Sequence, residues 1–461
     1  MEININTDTI IAPITATVGG SVSLIRISGN QAISYTNQLF IGSDLSQQRG
    51  NKFFHGQLQK GNEIIDDVII LLYRSPNSYT SEDVVEISCH GNPFIVEKII
   101  QLFIESGCRM ADPGEFTKRA FFNGKIDLLQ AEAVADLIAA KSLKSAHNSL
   151  VHIEGKISEL IKSLKDTLID TASLVTLDLD FSEDDLSIID HSKIEETINH
   201  AQKIIDNLIK SYEYGRILNK GAEVIICGKP NVGKSSLMNA LIKRDRVIVS
   251  STPGTTRDTI HEDVIMDNIS IRFIDTAGIR ITNDEVEAKG VNRSEAAFDK
   301  ADIILLIVDI SEPLTQDDYN LIDKLKESYL KNLIIIGNKN DKKADKKSEN
   351  ELKKFGPTPI KISAKTGEQI NLLEQEIITK LKMNSDILTE DIIITNQRQF
   401  DILNKTNNAL SKAFDATKEK IGFEYIAVDI KNAIDLLSEI TGEITSDDIL
   451  NNIFSKFCIG K

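Results

Sequence analysis

The spacing of apolar positions changes character along the chain. Up to about residue 120, short branched-apolar runs such as Val22 to Ser28, Asp67 to Tyr73 and Val84 to Ser88 stand between turn signals, and an apolar helix is predicted near 93–106. That texture predicts a compact α+β domain. From Ile126 the period becomes helical. Leu128, Leu129, Ala131, Ala135, Leu137 and Ile138 start a stripe, and Ile157 to Leu179 continues apolar residues at three- and four-residue spacing. The acidic run Asp178 to Asp185 interrupts it and reads as a solvated connection to a second helical stripe over about 191–212.

Between 222 and 382 strand and helix alternate. The predicted strands are Glu223 to Cys227, Ser270 to Ile274, Ile303 to Asp309, Leu333 to Gly337 and Ile360 to Ser363, the sign of a doubly wound sheet. Asp341 to Glu351 reads as a loop running into an exposed helix start. After about 385 the pattern is helical again, through Phe400 to Phe414, Ile430 to Ile440 and Ser446 to Phe454. Helices on both sides of an α/β segment predict one helical domain split by an insertion.

Composition narrows this picture. Net charge is 53 − 69 = −16 over 461 residues, which argues against nucleic-acid affinity driven by overall charge. Any RNA substrate has to be held by a local basic patch or a partner. The four cysteines, Cys89, Cys108, Cys227 and Cys458, show neither CxxC nor zinc spacing, which fits a reducing compartment. The first residues are acidic and lack a signal-peptide pattern, and no apolar run approaches the ~20 residues of a membrane span. A cytoplasmic location is expected.

The chemistry lies in four ordered motifs. Gly228 to Ser235 reads GKPNVGKS after the apolar strand, and Ser236 to Ile242 opens a helix. Gly228 and Gly233 let the backbone curl so that N–H groups and a helix N-terminus face an anion. Lys234 adds charge at the β/γ oxygens, and the Ser235 hydroxyl is a magnesium ligand. Thr256, in the TTRD segment from Thr255, completes the metal shell and senses the γ-phosphate. Asp275 ends a strand and places a carboxylate near the metal, followed by Thr276, Ala277 and Gly278, whose N–H meets the γ-phosphate. In Asn338, Lys339, Asn340, Asp341, the last carboxylate accepts the N1–H and N2–H of guanine, and adenine lacks the second donor. Ser363, Ala364 and Lys365 supply backbone N–H to the base oxygen. The GTP site so read takes in Asn231, Val232, Gly233, Lys234, Ser235, Ser236, Ser250, Ser251, Thr252, Pro253, Gly254, Thr255 and Thr256 with the two later motifs.

The combined motifs resemble the translation-factor-related GTPases, and among them the tRNA uridine-modification GTPases of the MnmE (TrmE) family. The carrying residues also include Leu24 to Gly29, Asn77 to Glu86, Cys89 to Gly91, Pro113 to Asp127, Gln130 to Ala133 and Phe457 to Lys461, so the likeness spans essentially the whole chain. It implies an α/β multidomain fold. Residues 1–123 would be a folate-binding and dimerising α+β domain, 124–218 and 385–461 a discontinuous helical domain, and 219–384 an inserted Ras-like P-loop GTPase domain.

Several roles come from the resemblance alone. It implies folate contacts at Arg26, Glu86, Lys125 and Lys461, where Arg and Lys suit the glutamate-tail carboxylates and Glu86 the pterin donors. The loop before Arg26 departs from the family pattern, reading ITATVGG from Ile14, yet it keeps Gly19 and Gly20. Potassium would be held by Asn231 with Ser250, Thr252 and Thr255, replacing an arginine finger. Ile279 stands where other GTPases place a water-positioning Gln, and Glu287 matches the carboxylate that orients water, acting with Lys234 and Thr256. Cys458 matches a terminal cysteine linked to the modification chemistry. The resemblance further implies a homodimer, an FAD-dependent MnmG (GidA) partner in a heterotetramer, a tRNA substrate and 5-formyl- or methylene-tetrahydrofolate as carbon donor. A ribosome-assembly GTPase is the competing reading, but such proteins carry a basic RNA-binding module or a second GTPase domain. A scaffold with vestigial hydrolysis fits poorly with intact Lys234, Ser235, Thr256 and Asp275.

Overall fold

The computed structural model describes residues 8–16, 20–180, 191–244, 263–275, 298–342, 345–355, 358–383, 392–419, 422–458 and 460–461. Contacts divide the chain into two compact units. One comprises Met1–Ala135, His152–Asp166 and Ile434–Lys461, the other Asp136–Val151 and Thr167–Ala433.

The first unit holds a seven-stranded sheet of β1 (Ile10–Pro13), β2 (Val22–Ser28), β3 (Phe40–Ile41), β4 (Lys52–Lys60), β5 (Glu63–Tyr73), β6 (Val84–His90) and β7 (Arg109–Met110), in the order β3-β4-β5-β6-β2-β1-β7. All pairs are antiparallel except β1 with β7. The period of two in β2 turns Ser23, Ile25 and Ile27 inward and leaves Leu24 and Arg26 on the other face. Register sets Arg26 beside Glu86 on β6 and Ala12 on β1.

Helices α1 (Ala32–Leu39) and α2 (Pro93–Glu105) accompany this sheet. Asn92 caps α2 by accepting from the Phe94 N–H, Pro93 fits a first-turn position that needs no donor, and Val96, Ile99, Leu102 and Phe103 bury one stripe. Next come α3 (Glu115–Phe122), α4 (Leu128–Ala139) and, near the chain's far end, α14 (Asp447–Phe454). Leu128, Ala131, Leu450, Phe454 and Phe457 form one apolar cluster, so residues more than 300 positions apart share a core. A large side chain so buried contributes roughly 1.5–3 kcal/mol.

The second unit carries β8 (Ala222–Cys227), β9 (Asp263–Met266), β10 (Ile269–Asp275), β11 (Ile303–Asp309), β12 (Leu333–Asn338) and β13 (Ile360–Lys361), ordered β13-β12-β11-β8-β10-β9. Only β9 runs antiparallel. β11 and β12 are almost unbroken apolar runs because both their faces are covered. Its helices include α8 (Lys234–Arg244), α9 (Gln316–Tyr329), α10 (Lys346–Leu352) and α11 (Ile370–Met383).

Outside the sheet, α5 (Leu143–Ile153), α6 (Lys156–Asp180), α7 (His191–Lys220), α12 (Gln397–Lys418) and α13 (Phe423–Thr441) supply the helical part. α7 precedes the α/β segment and α12 follows it, and the two pack along each other. Tyr212 stacks on Phe400 with centroids 4.3 Å apart and donates to Gln397, Asn407 donates to Asp206, and Gln202 to Ser411. The entry and exit of the α/β segment are therefore side by side, as an insertion requires. The expected solvated connection is corrected at its start. α6 runs through to Asp180 and buries Asp178 on the seam of Ile157, Ile161, Leu164, Leu168 and Val175, because the heptad spacing carries that position inward. Residues 181–190 lie outside the described residues. Among the described residues no helix is long and apolar enough to cross a membrane.

Candidate functional site

Two clusters of predicted residues are assembled, one in each unit. In the second unit β8 gives way to Gly228, whose φ of +144° and crowding require glycine, since a Cβ there would lie 2.4 Å from the Ile307 carbonyl. Gly233 has φ +104°, and its Cβ would lie 2.3 Å from Asn338 Nδ2. Asn231 sits between them at φ +63°, a left-handed conformation that Asn adopts more readily than most residues. The loop thus curls into the first turn of α8, where Ser235 and Ser236 are both exposed at the surface. Lys234 Nζ donates to the carbonyls of Gly228 and Lys229, each at 2.8 Å. A phosphate bound in the curl would draw the ammonium from those two oxygens.

The base-reading loop is joined to this one. Asn338, at the end of β12, is buried, donates to the Val232 carbonyl at 2.7 Å and accepts from the Ala364 N–H at 2.9 Å. Ser363 Oγ donates to Asp341 Oδ1 at 2.7 Å, and this bond holds the Asp341 carboxyl below its ordinary range. Asp341 therefore offers a stable anion to paired N–H donors. Lys339, at φ +69°, reaches Asp309 Oδ2 at 2.5 Å. The structure brings together Asn231, Val232, Gly233, Lys234, Ser235, Asn338, Lys339, Asp341, Ser363, Ala364 and Lys365. Ser250, Ser251, Thr252, Pro253, Gly254, Thr255, Thr256, Thr276, Ala277, Gly278 and Glu287 lie outside the described residues, and of Asp275 only the backbone, ending β10, is described.

In the first unit Arg26 Nε donates to Glu86 Oε1 at 2.8 Å, with both side chains nearly buried. The guanidinium carbon stands 4.7 Å from the Tyr79 ring centroid and 5.4 Å from that of Phe116. Arg26 Nη1 is buried without a hydrogen-bond partner. Such a donor costs about 1–3 kcal/mol and marks where an acceptor belongs. Phe116 N–H donates to the Lys461 carbonyl at 3.1 Å, and Gly114 N–H to that of Cys458 at 3.4 Å. Lys125 Nζ donates to the Ser78 carbonyl, next to Tyr79, and burial lowers its ammonium from the ordinary value. Arg26 and Glu86 thus stand by Tyr79 and Phe116, while Lys125 meets the backbone next to Tyr79 and the Lys461 carbonyl that of Phe116. Sequence reasoning does not single out those two rings, although both stand in the runs Asn77 to Glu86 and Pro113 to Asp127.

A charge network fixes the helix that carries Phe116. Glu115 accepts from Arg109 at 2.6 and 3.1 Å and from Arg119 at 3.0 Å, while Asp8 accepts from both arginines at 2.7 Å. Of the cysteines, Cys89, Cys108 and Cys227 are buried, and burial pushes their thiols up to about 11, 12 and 12. Cys458 is the exposed one, and its carbonyl accepts the Lys461 N–H at 3.3 Å.

Known proteins agree with this picture. The model of the MnmE helical domain matches residues 128–458, and that of the GTP-binding protein TrmE N-terminus matches 9–125. The tRNA modification GTPase MnmE of Bacteroides thetaiotaomicron is 40% identical over 471 residues, covering 99% of this chain and 100% of that protein. Its counterparts in Flavobacterium psychrophilum and Clostridioides difficile are each 38% identical, over 461 and 458 residues, covering 98% of this chain and 99% of theirs. Among solved structures, Aquifex aeolicus Era bound to GDP.AlF4- is 27% identical over 41% of this chain and 66% of that one, with a TM-score of 0.27, too low to bear on the fold. The chain belongs to the tRNA modification GTPase MnmE family and is a GTP-hydrolysing enzyme.

Proposed function

We propose that this GTPase serves a complex that adds a 5-carboxymethylaminomethyl group to the wobble uridine of tRNA, with a reduced folate as one-carbon donor. The observation that carries the folate reading is the buried, unpaired Arg26 Nη1 among Glu86, Tyr79 and Phe116. A flat heterocycle with amide-like donors suits the rings and the Glu86 carboxylate, and Lys125 and Lys461 suit the carboxylates of a glutamyl tail. Folate supplies the carbon when bound. Arg26, Glu86 and the rings orient it and keep water from one face.

In the nucleotide site, Lys234 and the curl from Gly228 to Ser235 hold the β and γ phosphates, and Ser235 and Thr256 hold magnesium. Asp341 and the 363–365 backbone select guanine. Asn231 with Ser250, Thr252 and Thr255 holds potassium, and Glu287 orients the attacking water. Hydrolysis drives conformational change and supplies no carbon. The reading extends to a homodimer working with an FAD-dependent MnmG (GidA) subunit in the cytoplasm. Its domains are the α+β domain 1–123, the split helical domain 124–218 and 385–461, and the inserted GTPase domain 219–384. The packing of α7 on α12 supports that split.

Titration calorimetry with 5-formyl-tetrahydrofolate is the direct test. A heat signal abolished by Arg26→Met is expected. No signal with the unaltered protein removes the folate role and leaves the GTPase intact.

A further inference from the structure

Lys229 is the second residue of the phosphate loop, and the motif assigns its side chain no task. Its Nζ leaves the loop and donates to Asp318 Oδ2 and Thr315 Oγ1, each at 2.5 Å. These two residues form the capping box of α9, in which Asp318 Oδ2 also accepts the Thr315 N–H at 2.9 Å and its hydroxyl at 3.0 Å. Helix N-termini disfavour cations. Lys229 is stable there because the Asp318 side chain, 6% exposed, presents a desolvated carboxylate that needs a fixed counter-charge.

The connection from β11 to α9 is used twice. At its start Asp309 takes the Lys339 ammonium on Oδ2 and is itself oriented by the Ser311 N–H and hydroxyl on Oδ1, at 2.9 and 2.7 Å. At its end Thr315 and Asp318 take Lys229. One short segment therefore anchors both the loop that curls around phosphates and the loop that reads the base. The Lys229 carbonyl is also one of the two that receive Lys234 Nζ. Pro230 follows with its φ locked by the ring, so a displacement at Lys229 passes on to Asn231 and Val232 instead of being absorbed.

We infer that Lys229 and Asp318 are positioning residues for guanine-nucleotide binding, acting through an ion pair that clamps the phosphate loop onto the cap of α9. The inference rests on the nucleotide site described above, and binding by the unaltered chain is the control for that site.

The test uses the full chain with fluorescent GDP and a non-hydrolysable GTP analogue. Lys229→Met and Asp318→Asn are each expected to weaken both nucleotides about tenfold, through faster dissociation. In steady state the loss falls on KM more than on kcat. Lys229→Arg restores affinity, and the double variant is no weaker than the weaker single one. Asp318→Asn keeps a side-chain acceptor for Thr315, so the helix cap survives that change. A pair that serves only stability would lower the melting temperature and leave both dissociation rates alone. That outcome, or losses that multiply in the double variant, overturns the assignment.

Discussion

The Asn338 side-chain amide donates to the Val232 carbonyl at 2.7 Å, so the end of β12 holds the phosphate loop from behind. Its carbonyl oxygen takes the Ala364 N–H at 2.9 Å, which makes one side chain common to three nucleotide-binding segments. Asn338→Ala removes both bonds in a buried place. We expect a loss of about 2 kcal/mol in stability and at least about tenfold in GDP affinity. Asn338→Asp should fare no better, because its second oxygen would face the Val232 carbonyl. Equilibrium binding of fluorescent GDP decides the point, and parental affinity in either variant refutes the bridging role.

Arg26 predicts a separation between folding and ligand binding. Arg26→Met strips Glu86 of its partner, yet Tyr79 and Phe116 remain to pack the methionine. The protein should lose roughly 1–3 kcal/mol of stability, easily read in a urea midpoint. Folate binding should disappear while basal GTP hydrolysis is kept. Folate heats that survive the substitution would place the ligand elsewhere.

Potassium and Glu287 offer a test of the hydrolytic machinery. Turnover should be several-fold faster in potassium chloride than in sodium chloride at equal ionic strength. Glu287→Ala should slow turnover by about 10²-fold or more with GTP affinity nearly unchanged. Equal rates in the two salts would remove the ion from the mechanism.

Acid should unfasten α3 before it disturbs most of the surface. Burial by itself raises the Glu115 carboxyl, but the Arg109 guanidinium, the Asp112 N–H and Arg119 outweigh it and leave it below the ordinary range. A carboxyl depressed in the folded state stabilises fully above its unfolded pKa, about 4.3, and that contribution is lost as pH falls through the folded value. Asp8, held down by the same two arginines against its own burial, adds to the effect. Urea midpoints followed from about pH 6 to about pH 3 should fall more steeply for the parent than for Glu115→Gln. Parallel profiles would show that Glu115 is not the titrating group.

Glycine substitutions separate backbone strain from docking. Gly114 has φ +71°, and a Cβ there would lie 2.5 Å from the Phe454 carbonyl. Gly61 has nearly the same φ, +60°, with nothing within 4 Å. Gly61→Ala should cost about 1 kcal/mol, the left-handed penalty alone. Gly114→Ala should cost about 3 kcal/mol and also weaken folate binding, because α14 and the Cys458 to Lys461 segment must shift. Equal destabilisation by thermal melting would argue against a docked tail.

Much of the fold is legible wherever local pattern and tertiary environment agree. Val22–Ser28 and Ile303–Asp309 fall on the predicted limits, since alternation marks a half-buried strand and a continuous apolar run a central one. β4, which reads KFFHGQLQK, escapes the pattern because Gly56 and its scattered polar residues blur the alternation, and its place depends on pairing with β5. In the site, Gly228, Gly233, Lys234 and Asp341 are readable because each has its own chemical requirement. Tyr79, Phe116 and Asp318 are not. Aromatic rings in a turn and in a short helix look like core, and a capping aspartate gives no sign that a lysine some 90 positions earlier will reach it.

The bond from Phe116 to Lys461 also sets an order of events during synthesis. Residues 434–461 belong to the same compact unit as 1–135, while most of the chain lies between them in sequence. A nascent chain emerges from its amino end. The sheet around Arg26 therefore meets the ribosome's exit as a structure with one wall missing, and the α/β segment has time to fold first. A ribosome stalled short of Phe454 would therefore display the sheet around Arg26 without the apolar cluster of Phe454 and Phe457 and without the Lys461 carbonyl that takes the Phe116 N–H.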